Sequence, residues 1–200
     1  EGSVLNESSW AVWNNMTHGP TESQLYMASA VSVRDGALRI KTQRVPGGLR
    51  SPSGTLYNFS SGWVESRGKV FNTFGRVEVR AQLPNPSAGA ADHWSDAWPA
   101  HWLMPEPTTS NPPNVCWPVG GEIDIMEGYR PRGGSGSSKQ YAVLQTYHWA
   151  HECNQDEWNK TNGKFPPLND TTTQIDFTAW HTFAVEWTPK SLVWFVDGEE

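Results

Sequence analysis

Apolar and polar residues alternate with a period of two in short runs along the chain, each run bounded by Gly, Pro, Asn or Asp, and this pattern predicts strands. Val31–Val33, the turn Arg34–Gly36 and Ala37–Lys41 read as a hairpin. Gly62–Ser66 and Gly75–Leu83 read as two more strands. The second sets Val77, Val79, Ala81 and Leu83 on one face against Arg76, Glu78, Arg80 and Gln82 on the other. Trp98–Pro105 is a short aromatic strand that leads into a proline-rich loop ending at Pro118. Tyr141–Trp149 is a further strand, and Thr182–Thr188 with Leu192–Val196 makes a final hairpin. Asn85–Trp94 and Arg130–Ser138 are loops by composition. Long stretches of 3.6 period and internal repeats are absent, so the expectation is an all-β fold forming a single domain over residues 1–200. Asp197-Gly198 calls for a returning strand where the sequence stops, so C-terminal strands of the fold are expected to be missing.

The 12 tryptophans change this picture, because indole is too large and too polar at its N–H to serve so often as core filler alone. Some are expected to line a binding surface. A formal charge of −6 with no cluster among the 15 Lys and Arg argues against nucleic acid and against an anionic membrane, and favours a neutral partner. No apolar run reaches the ~18 residues that span a bilayer, so no membrane insertion is expected. Cys116 and Cys153 form an even pair, compatible with one disulfide or with two free thiols. Glycosylation sequons begin at Asn6, Asn15, Asn58, Asn159 and Asn169, all in polar, turn-like sequence. Together these point to a secreted, extracellular protein of a eukaryote.

The chemistry is concentrated in Gly120–Gly128. On a regular strand Glu122 and Asp124 share one face, Ile123 and Ile125 share the other, and Glu127 falls out of phase. A one-residue bulge at Ile125 or Met126 would return Glu127 to the face of Glu122 and Asp124. With the bulge absorbed, Glu122 and Glu127 lie four strand steps apart, roughly 13 Å between Cα atoms. Glutamate side chains leaning together narrow that to the ~5–5.5 Å carboxyl separation of retaining glycosidases. Like charges so close push the pKa of Glu127 up. A plain sandwich strand has the same alternation, with acids in solvent and isoleucines in the core. The flanking glycines and the tryptophans just upstream tip the reading towards a sugar-binding cleft.

Gly121–Glu127 resembles the signature of glycoside hydrolase family 16, and the surrounding text agrees in order: Phe74–Pro84, Trp98–Trp102, Trp117-Pro118, Thr146–Trp149 and His181–Trp187. The resemblance runs from about Ala30 to the end, and the extra residue Met126 marks its laminarinase-like branch of endo-1,3-β-glucanases. It implies a β-jelly-roll sandwich of two curved antiparallel sheets. It makes Glu122 the nucleophile, Asp124 the assisting carboxylate and Glu127 the general acid/base. Trp98, Trp102 and Trp117 would stack on sugar faces, and His148 would hydrogen-bond near the cleavage point. The implied reaction is retaining hydrolysis of internal β-1,3 or mixed β-1,3/1,4 glucan linkages. The implied partner is that polysaccharide, acted on by a monomer.

His148, His151 and Cys153 could be taken for zinc ligands, but strand alternation sets the two histidines on opposite faces. No catalytic metal is therefore expected, and a Cys116–Cys153 disulfide is preferred. It would tie the loop before the carboxylate strand to the strand end that carries His148. No cofactor is required, and a structural calcium stays open. Two other functions share the resemblance: a β-glucan recognition module without catalysis, and a cell-wall transglycosylase. The presence of both glutamates favours an enzyme over the former.

Overall fold

The computed structural model describes residues 4–84, 98–106, 115–129, 142–153, 155 and 179–199. The expected loop at Asn85–Trp94, most of the proline-rich loop, the loop at Arg130–Ser138 and the sequons at Asn159 and Asn169 lie outside the described residues. No α-helix occurs among the described residues. Their contacts divide into two units, residues 1–71 and 72–200.

The first unit holds strands β1 (Ala11–Val12), β2 (Gln24–Tyr26), β3 (Val31–Arg34), β4 (Ala37–Ile40), β5 (Gln43–Arg50), β6 (Leu56–Ser61) and β7 (Val64–Glu65). The expected hairpin is present: β3 pairs antiparallel with β4 across Asp35 and Gly36, whose φ angles of 55° and 74° form the left-handed two-residue turn that suits strand twist. Strands β5 and β6, which the alternation pattern does not name, pair antiparallel, and β2 joins β6 in parallel. The signal of β5 is hidden because Pro46, Gly47 and Gly48 lie inside it, where the register shifts between Arg44 and Leu49. The strand expected over Gly62–Ser66 shrinks to β7. A Cβ at Gly62 would meet Val31 Cγ2 at 2.6 Å, so this residue lets the chain cross close to the hairpin instead of extending the strand. Around the buried Leu25 and Tyr26 sits a small aromatic core, in which Trp13 stacks on Trp63 at 4.3 Å and Tyr26 meets both rings edge-on. Of the described sequon asparagines, Asn6 and Asn58 are exposed, whereas Asn15 is half-buried at a φ of 57°.

The second unit holds β8 (Gly75–Gln82), β9 (Ala100–Leu103), β10 (Glu122–Tyr129), β11 (Ala142–His148), β12 (Trp180–Trp187) and β13 (Leu192–Val196). Two three-stranded antiparallel sheets result, in the orders β11-β10-β9 and β13-β12-β8. The expected faces of β8 are observed: Val77, Val79, Ala81 and Leu83 are shielded, while Arg76, Glu78, Arg80 and Gln82 are exposed. Ile123, Ile125, Met126 and Val143 of one sheet and Phe183 and Val185 of the other form a common core with Leu83. Burial of these side chains contributes on the order of 2 kcal/mol each. That core fixes which face of β10 is turned away from it, and the acids lie there.

Candidate active site

Strand β10 is central in its sheet, and a glycine just before it and another near its end let it run close to its neighbours. Gly121 has a φ of 82° and a Cβ there would press on Tyr147 at 3.3 Å; Gly128 leaves room for Pro99, whose Cγ a Cβ would meet at 3.0 Å. Along β11, Glu122 pairs with His148, Asp124 with Thr146 and Glu127 with Leu144. Two residues, Ile125 and Met126, therefore stand opposite the single residue Gln145. Along β9 the register shifts in the same place, with Asp124 opposite Trp102 and Glu127 opposite Ala100. This is the bulge that the out-of-phase Glu127 requires. Ile125 and Met126 both turn into the core, at 1% and 0% exposure, and Glu127 returns to the side of Glu122 and Asp124.

A bulge leaves backbone groups without their ladder partners, and buried ones must be satisfied elsewhere. Two side chains do so. Trp194 Nε1 donates to the Asp124 carbonyl at 2.8 Å, and Gln145 Nε2 donates to the Ile125 carbonyl at 3.1 Å. Sequence reasoning missed both residues, because neither carries reactive chemistry and only the packing of β13 and β11 brings them to the bulge. It also passed over His101, opposite Met126, whose burial holds its imidazole neutral with a pKa lowered to about 4.

On the acidic face Asp124 is almost fully buried, and His148 Nε2 lies 3.1 Å from its Oδ2. Trp117 Nε1 donates to Glu122 Oε2 at 2.5 Å, and Trp98 Nε1 donates to Glu127 Oε1 at 2.7 Å. Both indoles remain largely exposed, Trp98 at 58% and Trp117 at 42%, and Trp102 is half-buried. Trp117 also lies 5.8 Å from the His148 ring. The disulfide Cys116–Cys153 is formed, so the residue before Trp117 is tied to the segment that follows His148. The seven residues proposed from sequence for catalysis and sugar contact are thus brought onto one face of one sheet.

Burial, and then the charge of Asp124, raise the pKa of Glu122 to about 7, against the opposing pull of the Trp117 N–H and His148. The same two causes raise Glu127, opposed by the Trp98 N–H and His148. The rise at Glu127 matches expectation; the rise at Glu122 is an addition from the structure. Donor atoms of Glu122, Asp124 and His148 lie within 4.8 Å of one another, close enough to hold a cation.

A carboxyl whose folded pKa exceeds its unfolded value binds more protons in the folded state, so stability falls as pH rises through the interval. For Glu122 that interval runs from 4.5 to about 7. Glu122→Gln is expected to leave the melting temperature unchanged at the acid end and to raise it above the upper end. A calorimetric pH series in which the variant melts below the native protein above neutrality would contradict this.

The family model described as "Glycosyl hydrolases family 16" matches residues 20–200. A β-glucanase of Rhodothermus marinus is 31% identical over 166 residues, which is 80% of this chain and 49% of that protein. A β-1,3-glucan-binding protein of Penaeus monodon is 31% identical over 124 residues, covering 62% of this chain and 29% of that protein. The chain thus spans less than half the length of these curated relatives. Among solved structures, the laminarinase catalytic domain of Thermotoga maritima MSB8 superposes with a TM-score of 0.68 at 22% identity, covering 100% of this chain and 71% of that one. This likeness carries the fold, a β-jelly-roll sandwich.

Proposed function

The chain belongs to glycosyl hydrolases family 16, and from that membership we propose that it hydrolyses internal β-1,3 or mixed β-1,3/1,4 linkages of a glucan with retention of configuration. The observation that carries the reading is the bulge, which sets Glu122 and Glu127 on one face, four ladder positions apart on β11, with Asp124 between them. Exposed indoles beside each acid suit the C–H faces of a neutral sugar better than they suit a charged ligand.

Glu122 attacks the anomeric carbon while Glu127 delivers its proton to the leaving oxygen. The glycosyl ester on Glu122 is then displaced by water, which gives its proton to Glu127. Burial, and then the charge of Asp124 beside His148, raise the pKa of both acids. Glu122 becomes ionised for attack as pH rises through about 7 in the free site. Trp98, Trp102 and Trp117 hold the sugar chain, and His148 contacts it near the bond that breaks. No cofactor takes part. The exposed sequons at Asn6 and Asn58 and the disulfide support an extracellular site of action.

Product analysis of the full-length protein on laminarin, lichenan and xyloglucan tests the reading. Short oligosaccharides from the first two, appearing with retained anomeric configuration in an NMR time course, are expected. Inverted products would refute double displacement. Chains longer than the starting material would make the protein a transglycosylase, and saturable binding without products would make it a glucan-recognition module.

A further inference from the structure

Each of the two catalytic glutamates accepts a hydrogen bond from the indole of a different tryptophan, and each of these tryptophans sits on a tethered piece of chain. Trp117 follows the disulfide-bonded Cys116 and precedes the turn in which Gly121 N–H donates to the Pro118 carbonyl at 2.9 Å. Trp98 precedes Pro99, whose carbonyl accepts from Gly128 N–H at 2.8 Å, directly beside Glu127. The rings are open to solvent while their N–H groups are held on the acids. An indole N–H can only donate, so it favours the ionised form of the carboxylate it touches.

Building on the double-displacement reading above, we propose that Trp98 and Trp117 are positioning residues that divide the reaction, Trp98 assisting formation of the glycosyl-enzyme and Trp117 assisting its breakdown. In the first step the bond from Glu122 oxygen to the anomeric carbon forms, and the bond from that carbon to the leaving oxygen breaks. The leaving oxygen keeps the electron pair and takes the proton of Glu127. Glu127 passes from neutral acid to carboxylate, and the bond from Trp98 strengthens as that charge appears, because hydrogen bonds to ionised acceptors are about twice as strong. Glu122 meanwhile loses its charge, and the bond from Trp117 weakens. In the second step water oxygen bonds to the anomeric carbon, its proton passes to Glu127, and the electron pair of the ester bond returns to Glu122. The Trp117 bond now strengthens. The directions in which the two indoles act on the resting acids agree with this division, since each opposes the rise in its partner's pKa.

The test uses the full-length protein, laminarin, and an aryl laminaribioside with a dinitrophenolate leaving group, which needs no proton. Trp117→Phe keeps an aromatic face but loses the donor. It is expected to release a stoichiometric burst of dinitrophenolate, then to turn over about 10- to 100-fold more slowly than wild type. Intact-mass measurement should find the sugar accumulated on Glu122. Trp98→Phe is expected to lose about 10- to 100-fold more in kcat on laminarin than on the aryl substrate, whose first step needs no proton. Equal losses on both substrates, expressed as raised KM, would overturn the proposal and leave the two rings as sugar platforms. Should either variant fail to fold, the wild-type indole N–H resonances decide. Trapping the enzyme with a fluorinated glucoside should move the Trp117 signal upfield as Glu122 becomes an ester, and an unmoved signal would overturn the proposal. A wild type that never forms the covalent adduct would overturn the double-displacement reading beneath it, a result distinct from an adduct that forms without regard to Trp117.

Discussion

Glu122→Gln is expected to lower kcat on laminarin by roughly four orders of magnitude or more while leaving KM within a few-fold of wild type, because the amide keeps the shape of the side chain and loses its nucleophilicity. The geometry favours such a clean separation. Glu122 lies at the start of a central strand, paired with His148 and bonded to Trp117 through a carboxylate oxygen that the amide oxygen of glutamine reproduces. The sugar contacts proposed for the exposed indoles are untouched. Removing a buried charge beside Asp124 should also stabilise the fold above neutrality, so lost turnover cannot be attributed to unfolding. Steady-state kinetics joined to a melting curve on the same preparation checks both statements. Turnover near the wild-type value would remove Glu122 from the role of nucleophile.

Glu127→Ala is expected to lower kcat on laminarin by about 10²- to 10⁴-fold, the range for loss of a general acid/base. Its signature differs from that of Glu122→Gln. With a dinitrophenolate leaving group the first step needs no proton donor, so the glycosyl-enzyme should form at nearly the native rate and then persist, because no base remains to activate water. Azide, which attacks without deprotonation, should restore turnover and yield a glycosyl azide of the same anomeric configuration as the substrate. Absence of rescue, or a variant equally slow on activated and natural substrates, would show that the residue supports structure and does not carry the proton. Trp98→Phe should resemble a mild form of this variant on laminarin without any need for azide, which links the two experiments.

How far the site could be read from sequence differs from residue to residue. Glu122, Asp124 and Glu127 were legible as a set, since a period-two strand with one acid out of phase admits few arrangements and the bulge is the simplest of them. The pairing Cys116–Cys153 was the natural union of the only two cysteines in the chain. That some tryptophans line a binding surface was legible by chemical type, and the choice of Trp98, Trp102 and Trp117 followed from the family resemblance. That Trp98 and Trp117 aim their N–H groups at Glu127 and Glu122 was not, because the direction of an indole edge depends on where neighbouring strands and tethered loops place its backbone. Gln145 and Trp194 were invisible for the same reason: they answer a need, two orphaned carbonyls, that exists only once the bulge has formed.

Sequence by itself determined the strand faces of β8, the hairpin at Asp35-Gly36 and the all-β class, because alternation, turn stereochemistry and side-chain type are local properties. Tertiary structure alone decided the course of β5 through glycine and proline, the shortening of β7 by the close approach at Gly62, and the raised pKa of Glu122. These depend on which surfaces meet, and burial, close contact and the field of a neighbouring carboxylate arise only between segments that folding has brought together.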